Sequence, residues 1–137
     1  MPASESREVA DKLGTYQAFA QCSHDDLLAL AKAGSRFSVP AGWSFVQEGI
    51  PSDAVYVITE GTAKVYQDRA VIATLGEGDV VGEMTLLAGG QRRATVSSVT
   101  PVRGLRIEND VLTELLGKRP QLREALDAVY KAHQADG

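Results

Sequence analysis

The stretch Gly82-Glu83-Met84-Thr85-Leu86-Leu87-Ala88-Gly89-Gly90-Gln91-Arg92-Arg93-Ala94-Thr95-Val96 holds residue types that can grip a small anion bearing hydroxyl groups. Gly82 frees the backbone for a tight turn and for close approach to a ligand. Glu83 offers a carboxylate that can accept a hydrogen bond from a sugar hydroxyl. Thr85 to Leu87 can form a short helical turn, whose first N–H groups lack internal partners and suit an anion. Gly89 and Gly90 turn the chain back. Arg92 supplies a planar, permanently charged fork that matches a phosphate. Ala94, Thr95 and Val96 then resume an extended strand. Side chains alternate across a strand, so only one of Arg92 and Arg93 should face a ligand. The opposing reading makes both arginines solvated surface charges and Glu83 a salt-bridge partner. A Glu–Arg pair could also rest in an empty pocket and open for a ligand.

The elements that must position this stretch are legible on either side of it. Ser4 or Ser6 can cap a first helix with Val9 and Leu13 on one face and Gly14 at its end. Ser23, three residues before Asp26, opens a second helix in the manner of a capping box, with Leu27, Leu28, Leu30 and Ala31 at helical spacing. Gly34 stops it at the C′ position. From Arg36 short β-type runs alternate with turn residues, as in an all-β sandwich or barrel. The runs are Phe37 and Val39, Trp43 to Val46, Val55 to Ile58, Ala63 to Val65, Val71 to Leu75, Val80-Val81, Val96 to Val99 and Val102 to Ile107, about eight strands. The breaks include Glu48 to Asp53, Glu60-Gly61, Gln67-Asp68-Arg69 and Gly76 to Asp79. Asn109 or Asp110 can cap a third helix that Gly117 ends. Pro120 suits the first position of a last one. Leu122, Ala125, Leu126, Val129 and His133 form one stripe on it. The expected organisation is a single domain over 1–137: helices over 1–35, a barrel over 36–108, and helices over 109–137.

Composition narrows the functional classes. At 137 residues the chain has room for one well-buried core, and its 44% apolar content is ordinary for a globular protein. A formal charge of −4 argues against a nucleic-acid binder, which must neutralise many phosphates, but not against one mononucleotide on one arginine. Cys22 is the single cysteine, so no intrachain disulfide can form, which fits a reducing compartment. No apolar run approaches the ~20 residues of a membrane helix, and Met1 to Ala10 do not read as a secretory signal. The expectation is a soluble, cytoplasmic protein without a membrane span. His24 and His133, the two histidines, both fall on predicted helices outside the barrel, so a barrel metalloenzyme is a distant third reading and no metal site or cofactor is expected. No P-loop lysine motif or Gly-x-Ser-x-Gly elbow is present, so no catalytic residue is assigned.

Gly82, Glu83, Leu86, Arg92, Ala94 and Thr95 match, in register and without gaps, the phosphate-binding cassette of the cyclic nucleotide-binding domain family, which the whole region from roughly Asp25 to Arg119 resembles. That family includes kinase regulatory subunits, cyclic-nucleotide-gated channels and catabolite-activator-type regulators. The resemblance implies an eight-stranded antiparallel jelly-roll β-barrel with flanking helices, mainly β, and a ligand site made of Gly82, Glu83, Met84, Thr85, Leu86, Arg92, Arg93, Ala94 and Thr95. Glu83 would take the ribose 2′-hydroxyl and Arg92 the cyclic phosphate, with backbone amides near Thr85, Leu86 and Ala94 as further donors. Val129 and Tyr130 become candidates for a lid over the base. The stripe that includes Val129 could instead pack on the barrel, or on another subunit in a homodimer. Three positions depart from the family pattern: Val81 replaces a frequent Phe, Thr85 a smaller residue, and Arg93 the Thr or Ser hydroxyl common in cGMP-preferring members. The last favours cAMP over cGMP. The implied role is a non-catalytic sensor that signals by allosteric change to an effector protein or fused domain. The chain ends at Gly137, which leaves no room here for a DNA-binding domain. The runner-up is a roll that has lost its ligand and serves as an interaction or dimerisation module.

Overall fold

The computed structural model describes residues 1–51 and 53–136, apart from the side chains of residues 85, 135 and 136. Helix α1 spans Ala3–Leu13 and buries Val9 and Leu13 on one face. It starts before the expected serine caps. Pro2 is the residue at its N-cap, its carbonyl accepts the Ser6 N–H at 2.9 Å, and Ser6 is buried inside the helix. A 3-10 turn, Gln17–Phe19, leads to α2, His24–Ala33. Here the capping box forms in full: Ser23 Oγ accepts the Asp26 N–H at 3.1 Å, and Asp26 Oδ2 accepts the Ser23 N–H at 3.3 Å.

Gly34 ends α2 for a different reason from the left-handed C-cap that its position suggests. Its φ of −98° and ψ of 178° are extended backbone open to any residue. A Cβ there would lie 2.8 Å from Leu105 Cδ1 and 3.0 Å from the Arg106 carbonyl oxygen. Close packing between helix end and sheet, not backbone conformation, selects glycine.

Eight antiparallel strands follow: β1 Ser35–Val39, β2 Ser44–Val46, β3 Ala54–Glu60, β4 Ala63–Gln67, β5 Ala70–Leu75, β6 Val80–Val81, β7 Thr95–Ser98 and β8 Val102–Glu108. They form two four-stranded sheets, ordered β1-β8-β3-β6 and β2-β7-β4-β5. This is the expected jelly roll. Strand β3 explains its own composition. Ala54, Tyr56 and Ile58 point between the sheets, where they meet Val46, Ala63, Val81, Val96 and Val102. Val55 and Val57 point the other way, onto a cluster with Leu105, Ile107 and the helices. A strand covered on both faces has no use for alternating polar residues. Phe37, Phe45 and Tyr56 pack edge to face or tilted inside the roll, with ring centroids 4.9 to 5.6 Å apart.

Two helices close the chain, α4 over Asn109–Lys118 and α5 over Pro120–Asp136. Gly117 does not end α4, as its type suggests, but lies within its last turn, with open space where a Cβ would be. The break comes at Arg119 (φ −131°, ψ 88°), because the residue before a proline is driven out of the helical region. Pro120 then opens α5, as expected. Leu122 and Leu126 of α5 are buried in the helix-side cluster, with Ala125 and Val129 packed against it. Arg119 Nη1 bonds Asp26 Oδ1 at 3.1 Å and ties this junction to α2.

Candidate ligand-binding site

The end of β6 delivers the chain into Gly82, whose φ is +96°. That conformation favours glycine, and a side chain would also run into Arg92 Nη1 and the Ala54 carbonyl oxygen. Helix α3, Glu83–Ala88, follows at once, and Gly89 and Gly90 reverse the chain with φ of +77° and +95°. Arg92 is then fastened through its backbone to the loop before β3: its N–H donates to the Ile50 carbonyl at 2.9 Å and its own carbonyl accepts the Gly49 N–H at 2.9 Å.

Both charged residues of the stretch are buried, Glu83 at 1% exposure and Arg92 at 6%. Arg92 Nη2 donates to the Ala54 carbonyl at 2.6 Å and lies 3.6 Å from Asp53 Oδ1. Asp53 also takes Arg106 Nη2 at 3.0 Å. Arg92 Nη1 is buried and has no hydrogen-bond partner. Burial pulls the Arg92 guanidinium below the usual arginine range, against the opposing pull of Tyr56, Asp53 and Glu83, yet an arginine stays charged throughout the physiological range. On the other carboxylate, Glu83 Oε1 hydrogen-bonds His133 Nδ1 of α5, and Oε2 is buried with no hydrogen-bond partner. In place of the Glu–Arg pair that could have rested in the pocket there are two arrangements, Glu83 with His133 and Arg92 with Asp53. Both residues line one cavity of about 660 Å³. A buried cation and a buried carboxylate, each with an unused hydrogen-bonding atom, suit a ligand that is anionic at one end and carries hydroxyls at the other.

Residues 36–119 match the family model for the cyclic nucleotide-binding domain. The chain belongs to that family. It is 25% identical over 124 residues to the CRP-like cAMP-activated global transcriptional regulator of Mycobacterium tuberculosis, covering 87% of this chain and 54% of the regulator. It is 33% identical over 98 residues to a cyclic nucleotide-gated potassium channel of Mesorhizobium japonicum, covering 72% of this chain and 27% of the channel. The chain therefore spans about half of the first of these proteins and less of the second. The solved structure of PKAR CBD2 with Sp-2Cl-cAMPS bound superposes with a TM-score of 0.86 at 21% identity, covering 99% of this chain and 92% of that one, a likeness of fold.

Within this cyclic nucleotide-binding domain the cavity brings together Gly82, Glu83, Met84, Arg92, Arg93 and Ala94. Arg93 is exposed, and its carbonyl accepts Gln67 Nε2 at 3.3 Å. Leu86 turns instead toward the helix-side cluster, and Thr95 Oγ1 accepts the Glu48 N–H at 3.0 Å. The Thr85 side chain and Ser52 lie outside the described residues. Of the two lid candidates, Val129 packs on the helix-side cluster and Tyr130 Oη accepts Gln134 Nε2 at 3.0 Å; neither is on the cavity wall. The residues of α5 that do line it are His133 and Gln134. His133 was within reach of sequence reasoning, since it ends the apolar stripe of α5, one helical turn beyond Val129. Ile72, Thr74 and Asp79 also line the wall and carry no comparable signal. Among the described residues no group of His, Cys, Asp and Glu could hold a metal ion, and no helix is long and apolar enough to cross a membrane.

Proposed function

We propose that the chain binds a cyclic mononucleotide, cAMP in preference to cGMP, and acts as a non-catalytic sensor. One observation carries the reading: Arg92 and Glu83 are buried residues lining one cavity, and each has a buried side-chain atom with no hydrogen-bond partner. The cyclic phosphate would take Arg92 Nη1 and neutralise a cation that burial disfavours. The ribose 2′-hydroxyl would donate to Glu83. The base would lie toward the mouth, between Ile72 of β5 and the end of α5. The cavity volume falls within the ~300–1,000 Å³ usual for small-molecule sites. The preference for adenine rests on Arg93, which offers no hydroxyl to a guanine. Binding shifts the population of α5 conformations, and an effector protein or fused domain that prefers one of them must by linkage change nucleotide affinity.

Calorimetric titration with cAMP and cGMP in parallel tests this. The expected result is one-site binding, tighter for cAMP, that weakens by about 3 kcal/mol in Arg92→Ala while the fold is kept. Tight binding retained in Arg92→Ala, or no heat with either nucleotide from both the wild type and a His133→Ala variant, would overturn it.

A further inference from the structure

We propose that α5 closes the cavity from within: His133 stands at the ribose end, and Glu83 becomes available to a nucleotide only when the last turn of α5 moves. The inference rests on the nucleotide reading above. A carboxylate at 1% exposure cannot meet an external hydroxyl as it stands. Oε2 is buried, and His133 Nδ1 holds Oε1. The imidazole therefore occupies the hydrogen-bonding position that a sugar hydroxyl would need. An imidazole–carboxylate bond is among the stronger ones available to neutral or charged histidine, so it is a competitor and not an idle neighbour.

The fastening of α5 shows which part can yield. Its first half is anchored by Leu122 and Leu126, both buried, and by the packing of Ala125 and Val129. Its last turn carries half-buried His133 and exposed Gln134 at the cavity wall. Helix ends open at far lower cost than anchored segments. A nucleotide need only peel back this turn, leaving the leucine anchors seated. Chains with the clasp shut do not bind, so apparent affinity is reduced by the fraction that is open. Ligand entry and movement of the α5 terminus are one event, which is how occupancy would be passed on.

Two variants and two measurements test the clasp. His133→Ala should tighten cAMP binding by about tenfold, the scale of one hydrogen bond to a charged group. Without nucleotide, its amides from Val129 to Gln134 should exchange hydrogen faster than in the wild type. His133→Gln, which keeps a neutral donor, should fall between and guards against a folding defect in the alanine variant. Binding by His133→Ala but not by the wild type would also support the clasp. Unchanged or weaker binding by His133→Ala, with the wild type binding cAMP, overturns the clasp and leaves the nucleotide reading standing. No binding by either protein overturns both.

Discussion

On the cavity wall Arg92 is held by the roll itself, through the Ile50, Gly49 and Ala54 backbone and the Asp53 carboxylate. On the same wall Glu83 is held by His133, fifty residues later on α5. The first arrangement uses backbone groups between strands, which cannot move without breaking the roll. The second uses one side-chain pair on an element that can be undocked. On the proposed reading a rigid cation site and a releasable carboxylate divide the work: Arg92 would provide affinity, and Glu83 would report occupancy.

The largest effect should come from removing the seat of α5. Leu122 is fully buried, and Leu122→Ala should cost about 2–5 kcal/mol in urea unfolding. A cost under 1 kcal/mol would mean that α5 is not fastened where the leucines place it. Next is the loss of about 3 kcal/mol of nucleotide binding in Arg92→Ala, which probes the rigid site alone. Gly82→Ala follows. Its positive φ and the closeness of Arg92 predict a loss of about 1–3 kcal/mol in stability, with weakened nucleotide binding as Arg92 is displaced. Normal stability and affinity in that variant would show that the rigid site yields after all.

The smallest effect concerns the junction that sets where α5 begins. Burial alone would raise the Asp26 carboxyl, but the hydrogen bonds from Arg119 and Ser23 and the charge of Arg119 outweigh it, and the group titrates below its usual range. A lowered folded pKa gives stability that is present above the unfolded value, about 3.9, and is lost as pH falls through the folded one. Asp26→Asn should therefore lose less than about 1 kcal/mol near neutral pH, since Arg119 is partly exposed, and the gap should close in acid. A constant gap between the two proteins across that range would show that the pair's charge plays no part.

Much of this was legible before any coordinates. The apolar run of β3, the Ser23–Asp26 box, Pro120 at the head of α5 and the order Gly82, Glu83, Arg92 are local patterns, set by strand and helix geometry and by backbone chemistry. The errors were local rules overridden by distant partners or by the next residue. Gly34 is glycine because Leu105 crowds it, and α4 runs past Gly117 because Pro120 ends it instead. Val129 and Tyr130 are lid candidates by resemblance alone; the residues of α5 on the cavity wall are His133 and Gln134, because a helical stripe gives a face but not how far along it the cavity lies.

By itself, then, the amino-acid order determined the roll and its flanking helices, and it singled out Glu83 and Arg92 as the two charges to follow. Only the tertiary structure decided how those residues are held. Which atoms meet Arg92 and Glu83 depends on loops and a helix brought together over tens of residues, and separations of that kind leave no period in a sequence to read.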